Sequence, residues 1–108
     1  MCIRDSSYTG SRFALHGLTS ALALDLAPKV RINSVAPGHV LTSDILDAES
    51  LQRVQSASPL GYGPSARDVA ESVAFLAKSP AITGQTIFVD SGERFRQMKK
   101  DPALDKGE

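Results

Sequence analysis

Val30-Arg31-Ile32-Asn33-Ser34-Val35-Ala36-Pro37-Gly38 is the stretch on which the fold turns. Its first seven residues are rich in β-branched side chains, and Pro37-Gly38 ends the run and opens a loop, so Val30–Ala36 is predicted to be a buried strand. Upstream, Tyr8 to Ala27 contains no Pro and only two Gly. Leu15, Leu18, Leu22 and Leu26 recur there at spacings of three and four, as one face of a helix requires, which predicts one long helix. Phe13, Ala14, Ala21, Ala23 and Leu24 carry apolar character beyond the stripe, as expected of a helix packed on a sheet and also on a further helix or subunit. Pro28 stops it. The order is helix, tight turn, buried strand.

Downstream, Ile45, Leu46, Leu51 and Val54 predict an amphipathic helix within Thr42–Ser58. Pro59-Leu60-Gly61-Tyr62-Gly63-Pro64 is a loop by composition, and Ser65 with Asp68 three residues later makes a capping-box-like start for the next helix. Val69, Ala70, Val73, Ala74, Leu76 and Ala77 trace its expected buried face, which ends at Ser79-Pro80. Thr83-Gly84 turns the chain into a second strand, Gln85–Val89, closed by Asp90-Ser91-Gly92. The charged residues 96–108 have no apolar face and are expected to form a solvated tail. Two strands separated by helices point to a parallel α/β sheet. A parallel sheet needs both faces covered and several neighbours, so the expectation is the C-terminal part of a doubly wound domain.

The 108 residues have room for one small domain or part of a larger one. Twelve Lys+Arg balance twelve Asp+Glu, which leaves no bulk basic field for nucleic acid or an anionic membrane. A single Cys excludes an internal disulfide, and no metal-ligand spacing is present. With no apolar run of bilayer-spanning length and no signal-peptide stretch, the chain reads as soluble and cytoplasmic.

Tyr8 and Arg12, four apart at the start of the long helix, emerge on one face. Lowering a phenol from a pKa of about 10 toward 7 takes about 4 kcal/mol of preference for the phenolate. A cation about 4 Å away at an effective dielectric of about 20 supplies that much. The spacing is that of a tyrosine tuned as a general acid or base, and equally that of an ordinary aromatic and basic pair on a solvated helix.

Around this pair, Tyr8-Thr9-Gly10-Ser11-Arg12, Ala14-Leu15, Leu18-Thr19, Leu26-Ala27-Pro28, Val30 to Gly38 and Thr42 follow one another in an order that closely resembles the short-chain dehydrogenase/reductase family. The resemblance continues through Asp68-Val69-Ala70 and Ile82-Thr83-Gly84-Gln85 to Val89-Asp90-Ser91-Gly92, over about residues 8–95. Ser58-Pro59-Leu60-Gly61, Ser79-Pro80-Ala81 and the short Ala27-Pro28-Lys29-Val30 turn look most like the pteridine-reductase-like branch. The resemblance implies a Rossmann-type fold and an NAD- or NADP-dependent hydride transfer to or from a carbonyl or pteridine substrate, by a homo-dimer or homo-tetramer. It assigns Tyr8 the proton transfer and places Arg12 where the family has a lysine that lowers the tyrosine pKa and holds the nicotinamide ribose. It assigns Pro37, Gly38, Val40 and Thr42 to the loop that holds the cofactor's nicotinamide carboxamide or phosphates. Asn33 is expected to support its strand and loop, His39 to be solvated or to face the pocket, and His16 to lie at the surface or an interface; Cys2 has no basic or His neighbour to activate it.

Two features of the family's pattern do not appear. No glycine-rich turn follows a first strand, and only seven residues precede Tyr8, where the family's catalytic serine stands about a dozen positions earlier. Residues 1–7 read as a non-native leader. Two functions are therefore in competition: the C-terminal part of a nicotinamide-dependent reductase, inactive by itself, and a catalytically silent interaction module, suggested by Arg12 in place of the family's lysine.

Overall fold

The computed structural model describes residues 6–95, with side chains described from Gly10 onward. The long apolar segment forms helix α1, Ser6–Leu26, which begins two residues before Tyr8. It closes through Val30 N–H donating to Leu26 O at 3.1 Å. Strand β1, Ser34–Pro37, leads through a loop to α2, Ala48–Ser56, then to α3, Ala66–Ala77, and back to strand β2, Thr86–Val89. A single 3-10 turn, Glu93–Phe95, follows. The two strands pair in parallel with Ser34 opposite Thr86 and Pro37 opposite Val89, as the helix-separated order predicts.

β1 starts four residues later than its β-branched run. Over Val30–Asn33 side chains interrupt the ladder: Gly84 N–H still donates to Ile32 O at 2.7 Å, but Ile32 N–H donates to Thr83 Oγ1 at 3.1 Å and Gln85 N–H to Asn33 Oδ1 at 3.0 Å. Asn33 Nδ2 also donates to Ile82 O at 3.0 Å, so this side chain does support the strand entry, as expected. Gly84 makes the turn into β2 at φ 74°, a conformation that a side chain disfavours.

Within this chain α1 meets the sheet through residues beside its leucine stripe. Leu15, Leu18 and Leu26 are exposed, Leu15 to 56%, while Thr19 and Ala23 are buried. At 100° per residue the packed face lies about a quarter turn from the leucine stripe. Ser34 and Thr86 share a hydroxyl hydrogen bond at 2.9 Å, and Thr19 and His16 meet them with polar atoms. Small residues then bring the helix close at Ala23 and Gly84.

α3 also turns from its expected face. Leu76 is buried and Val69 and Ser72 half-buried, whereas Val73 is 52% exposed and Ala70, Ala74 and Ala77 are exposed. Its ends are pinned elsewhere: Ser65 Oγ accepts from Asp68 N–H and an Asp68 carboxylate oxygen from Ser65 N–H, the capping box seen in the sequence. α3 packs against both strands. α2 begins six residues inside its expected span, because Ser43 and Leu46 close a tight turn on each other and Asp47 captures the Ser50 N–H at 2.7 Å as N-cap. Ile45, expected within this helix, precedes it and is exposed, whereas Leu46 and Val54 are buried. No helix among the described residues is long and apolar enough to cross a membrane. The tail at 96–108, most of the leader at 1–7 and Cys2 lie outside the described residues.

Candidate cofactor and catalytic site

α1 runs antiparallel to the strands, and its contacts show how far it reaches. Ala23 lies beside Gly84, Thr19 Oγ1 reaches Ser34 Oγ at 3.5 Å, and His16 meets Thr86 Oγ1 at 3.3 Å and stacks on the Phe88 ring at 5.7 Å. Going back along the helix therefore means going forward along β2. At 1.5 Å per residue, position 12 lies about 6 Å beyond His16 and position 8 about 6 Å further, at and past the C-terminal ends of the strands. That edge of a parallel sheet is where open α/β folds bind their ligands.

The Pro37–Thr42 loop leaves β1 at the same edge. Pro37 is exposed, Gly38 and Val40 are half-buried and Thr42 is exposed. Gly38 N–H continues the ladder to Val89 O at 3.0 Å. A Cβ on Gly38 would lie 2.7 Å from Glu93 Oε2 and 3.0 Å from the Asp90 Cα, so a glycine is needed for the loop to sit against the Asp90–Glu93 segment. Arg12 is an exposed residue of α1; Tyr8 belongs to the same unbroken helix, one turn earlier, and its side chain lies outside the described residues.

Three contacts were not foreseen. His39 is not a solvated loop residue: it is half-buried against Glu93, with Nδ1 2.5 Å from Oε1. His16 is half-buried and stacks on the Phe88 ring of β2. Asp90 is buried at the turn after β2, where it accepts from Gly92 N–H at 2.9 Å, Arg94 N–H at 3.1 Å and Arg94 Nη1 at 3.2 Å. Arg94 in turn lies over Phe88 at 4.1 Å and Phe95 at 4.2 Å. The Asp90-Ser91-Gly92 turn was visible as a strand end. Its part in holding the facing loop depends on contacts that sequence spacing does not encode.

The donor chemistry of the loop suits a nicotinamide cofactor. Among the described residues, the backbone N–H groups of Val40, Leu41 and Thr42 and the Thr42 hydroxyl enter no hydrogen bond. Successive uncommitted N–H donors at the end of a strand can take the oxygens of a carboxamide or a diphosphate.

Comparison with known proteins agrees with this arrangement. Residues 3–93 match the family described as Enoyl-(Acyl carrier protein) reductase. Dihydromonapterin reductase from Citrobacter koseri is 33% identical over 90 residues, a span that covers 83% of this chain and 38% of that protein. FolM alternative dihydrofolate reductase 1 from Brucella canis, solved in complex with NADP, superimposes with a TM-score of 0.80 at 35% identity, covering 87% of this chain and 38% of that one. Aldohexose dehydrogenase from Thermoplasma acidophilum gives 0.72 at 31% identity, over 85% and 42% of the respective chains. The chain thus spans under half the length of these relatives. Its helix–strand order, its parallel pairing and the match over residues 3–93 lead to one assignment: the chain belongs to the short-chain dehydrogenase/reductase family, in which it takes the Rossmann-type fold.

Proposed function

We propose that this chain is the C-terminal part of an NAD(P)-dependent reductase that moves hydride between a nicotinamide and a pteridine or carbonyl substrate. The observation that supports the reading is the antiparallel course of α1 along β2, which directs its earlier turns toward the strand ends from which the Val40–Thr42 loop also departs. Dihydromonapterin reductase and FolM among the relatives favour the pteridine branch, and the NADP in the FolM complex favours that cofactor.

In this reading the bound nicotinamide supplies or takes the hydride. The Val40–Thr42 amides and the Thr42 hydroxyl hold it in place, with Pro37 and Gly38 setting the course of the loop. Tyr8 gives a proton to, or removes one from, the substrate atom that gains or loses charge. Arg12 stabilises the phenolate form. At 4 Å that help is worth about 4 kcal/mol at an effective dielectric of 20, but only about 1 kcal/mol in bulk water. Because Arg12 is exposed, its full effect depends on bound cofactor and substrate excluding water from the pair. A cytoplasmic location and a homo-oligomeric assembly belong to the same proposal.

The test is turnover of NADPH and NADH by the protein expressed from its longest reading frame, with dihydropteridine and simple carbonyl substrates. Cofactor oxidation that requires substrate supports the reading. Tight cofactor binding without turnover on any of them, or no binding at all, would favour the silent interaction module that Arg12 raises.

A further inference from the structure

The loop after β1 is held at its root by a residue from the far end of the described chain. Glu93 turns both carboxylate oxygens to His39: the ring Nδ1–H donates to Oε1 over 2.5 Å and the backbone N–H to Oε2 over 3.3 Å. Since a carboxylate only accepts, Nδ1 carries the proton whatever the charge on the ring. The two side chains are only 22% and 13% exposed, so water competes weakly for them. On the other side of the loop, Gln55 Nε2 donates to the His39 carbonyl at 2.7 Å. Gly38 completes the clasp, because any Cβ at that position would strike the Glu93 carboxylate. Both peptide groups of His39 are therefore fixed immediately before Val40–Thr42.

We infer that Glu93 is a positioning residue for the cofactor-contacting segment Val40–Thr42 and that it acts through His39. The inference rests on the nicotinamide reading above. Glu93 lies behind the loop and does its work before the cofactor arrives. With the clasp closed, the amides of residues 40–42 are presented in one arrangement; with it open, cofactor binding must also order the loop. The consequence falls on cofactor affinity and not on the proton transfer at Tyr8.

Steady-state kinetics of the full-length protein with Glu93→Ala, Glu93→Gln, His39→Ala and the double variant test this, together with amide hydrogen exchange. Glu93→Ala is expected to raise KM for NADPH about tenfold, the equivalent of one charge-assisted hydrogen bond, with kcat within about twofold of wild type. Glu93→Gln, which keeps one acceptor oxygen, recovers most of the loss. The double variant binds no more weakly than Glu93→Ala, because the two residues act as one unit. Exchange quickens at residues 39–42 in Glu93→Ala while α3 keeps its protection, which separates a loosened loop from an unfolded protein. An unchanged KM, or a fall in kcat at constant KM, overturns the assignment. Wild-type protein that binds no NADPH overturns the nicotinamide reading and this one with it; wild-type binding that is indifferent to Glu93→Ala overturns this one alone.

Discussion

Arg31 joins the end of α3 to the entry of β1, and replacing it should cost more than any exposed residue of comparable size. The last carbonyls of a helix have no partner within the helix. Arg31 reaches three oxygens: Nη1 donates to Leu76 O at 2.9 Å and to Ile82 O at 3.1 Å, and Nη2 donates to Ala77 O at 3.0 Å. The first two bonds are half-buried and the third is exposed to water, so it adds little. A hydrogen bond from a charged donor contributes about 1.5–3 kcal/mol, and a cation at a helix C-terminus a further 0.3–1 kcal/mol or so. Water rehydrates part of what is lost, so Arg31→Met, which keeps the apolar stem, should destabilise by about 2–3 kcal/mol. Arg31→Lys keeps the charge, but a single ammonium cannot span oxygens on two segments, and about half of that loss should remain. Urea unfolding of the full-length protein measures both, as a shift in midpoint at constant slope. A loss under about 0.5 kcal/mol for Arg31→Met, or a lysine variant as stable as wild type, would show that the guanidinium bridge is incidental.

Three further outcomes follow from the same geometry. Gly38→Ala pushes a methyl into Glu93 and the Asp90 backbone and should cost about 1–3 kcal/mol in urea unfolding together with weaker NADPH binding; a neutral effect would mean that the loop does not need its close approach. The Ser65 backbone N–H, and after it the Ser65 hydroxyl, hold the Asp68 carboxyl below its ordinary value. A lowered folded-state pKa means that the contribution is complete above the ordinary carboxylate value and fades as the pH falls through the folded one; Asp68→Asn should flatten that acid limb of the stability profile, and an unaltered limb would count against the capping box. Arg12→Lys restores the residue that the family carries and should raise kcat/KM several-fold if the wide guanidinium displaces the ribose contact; a fall in kcat/KM would show that the site is built around arginine.

What could be read from the residues is what local chemistry controls. The turn at Thr83-Gly84 and the reciprocal Ser65–Asp68 cap each depend on neighbours within a few positions and stand where the sequence puts them, and the β-branched run before Pro37-Gly38 holds a strand, though one that starts four residues late. The rotation of α1 could not be read in this way. Leucine periodicity shows which face is most apolar, whereas the residues that meet the hydroxyls of Ser34 and Thr86 in this chain are Thr19 and His16. α3 behaves likewise, with Val73 and Phe75 left exposed while Leu76 is buried. Arg31 could have been suspected from one signal, since the last turn of α3 carries no basic residue of its own. The His39–Glu93 clasp left no local signature, because the two residues are 54 positions apart and each is unremarkable where it stands. Of the candidate site, the segments came from pattern and resemblance, and their edge of the sheet and the contacts that hold them came only from the fold.

The central claim is that Tyr8, at the strand-end edge of this sheet, transfers the substrate proton beside a bound nicotinamide. Single-turnover NADPH oxidation by the full-length protein with Tyr8→Phe tests it most directly. The expected result is a hydride-transfer rate at least about a hundredfold below wild type, with NADPH affinity unchanged within about twofold. A phenylalanine variant that oxidises NADPH at the wild-type rate would contradict the claim.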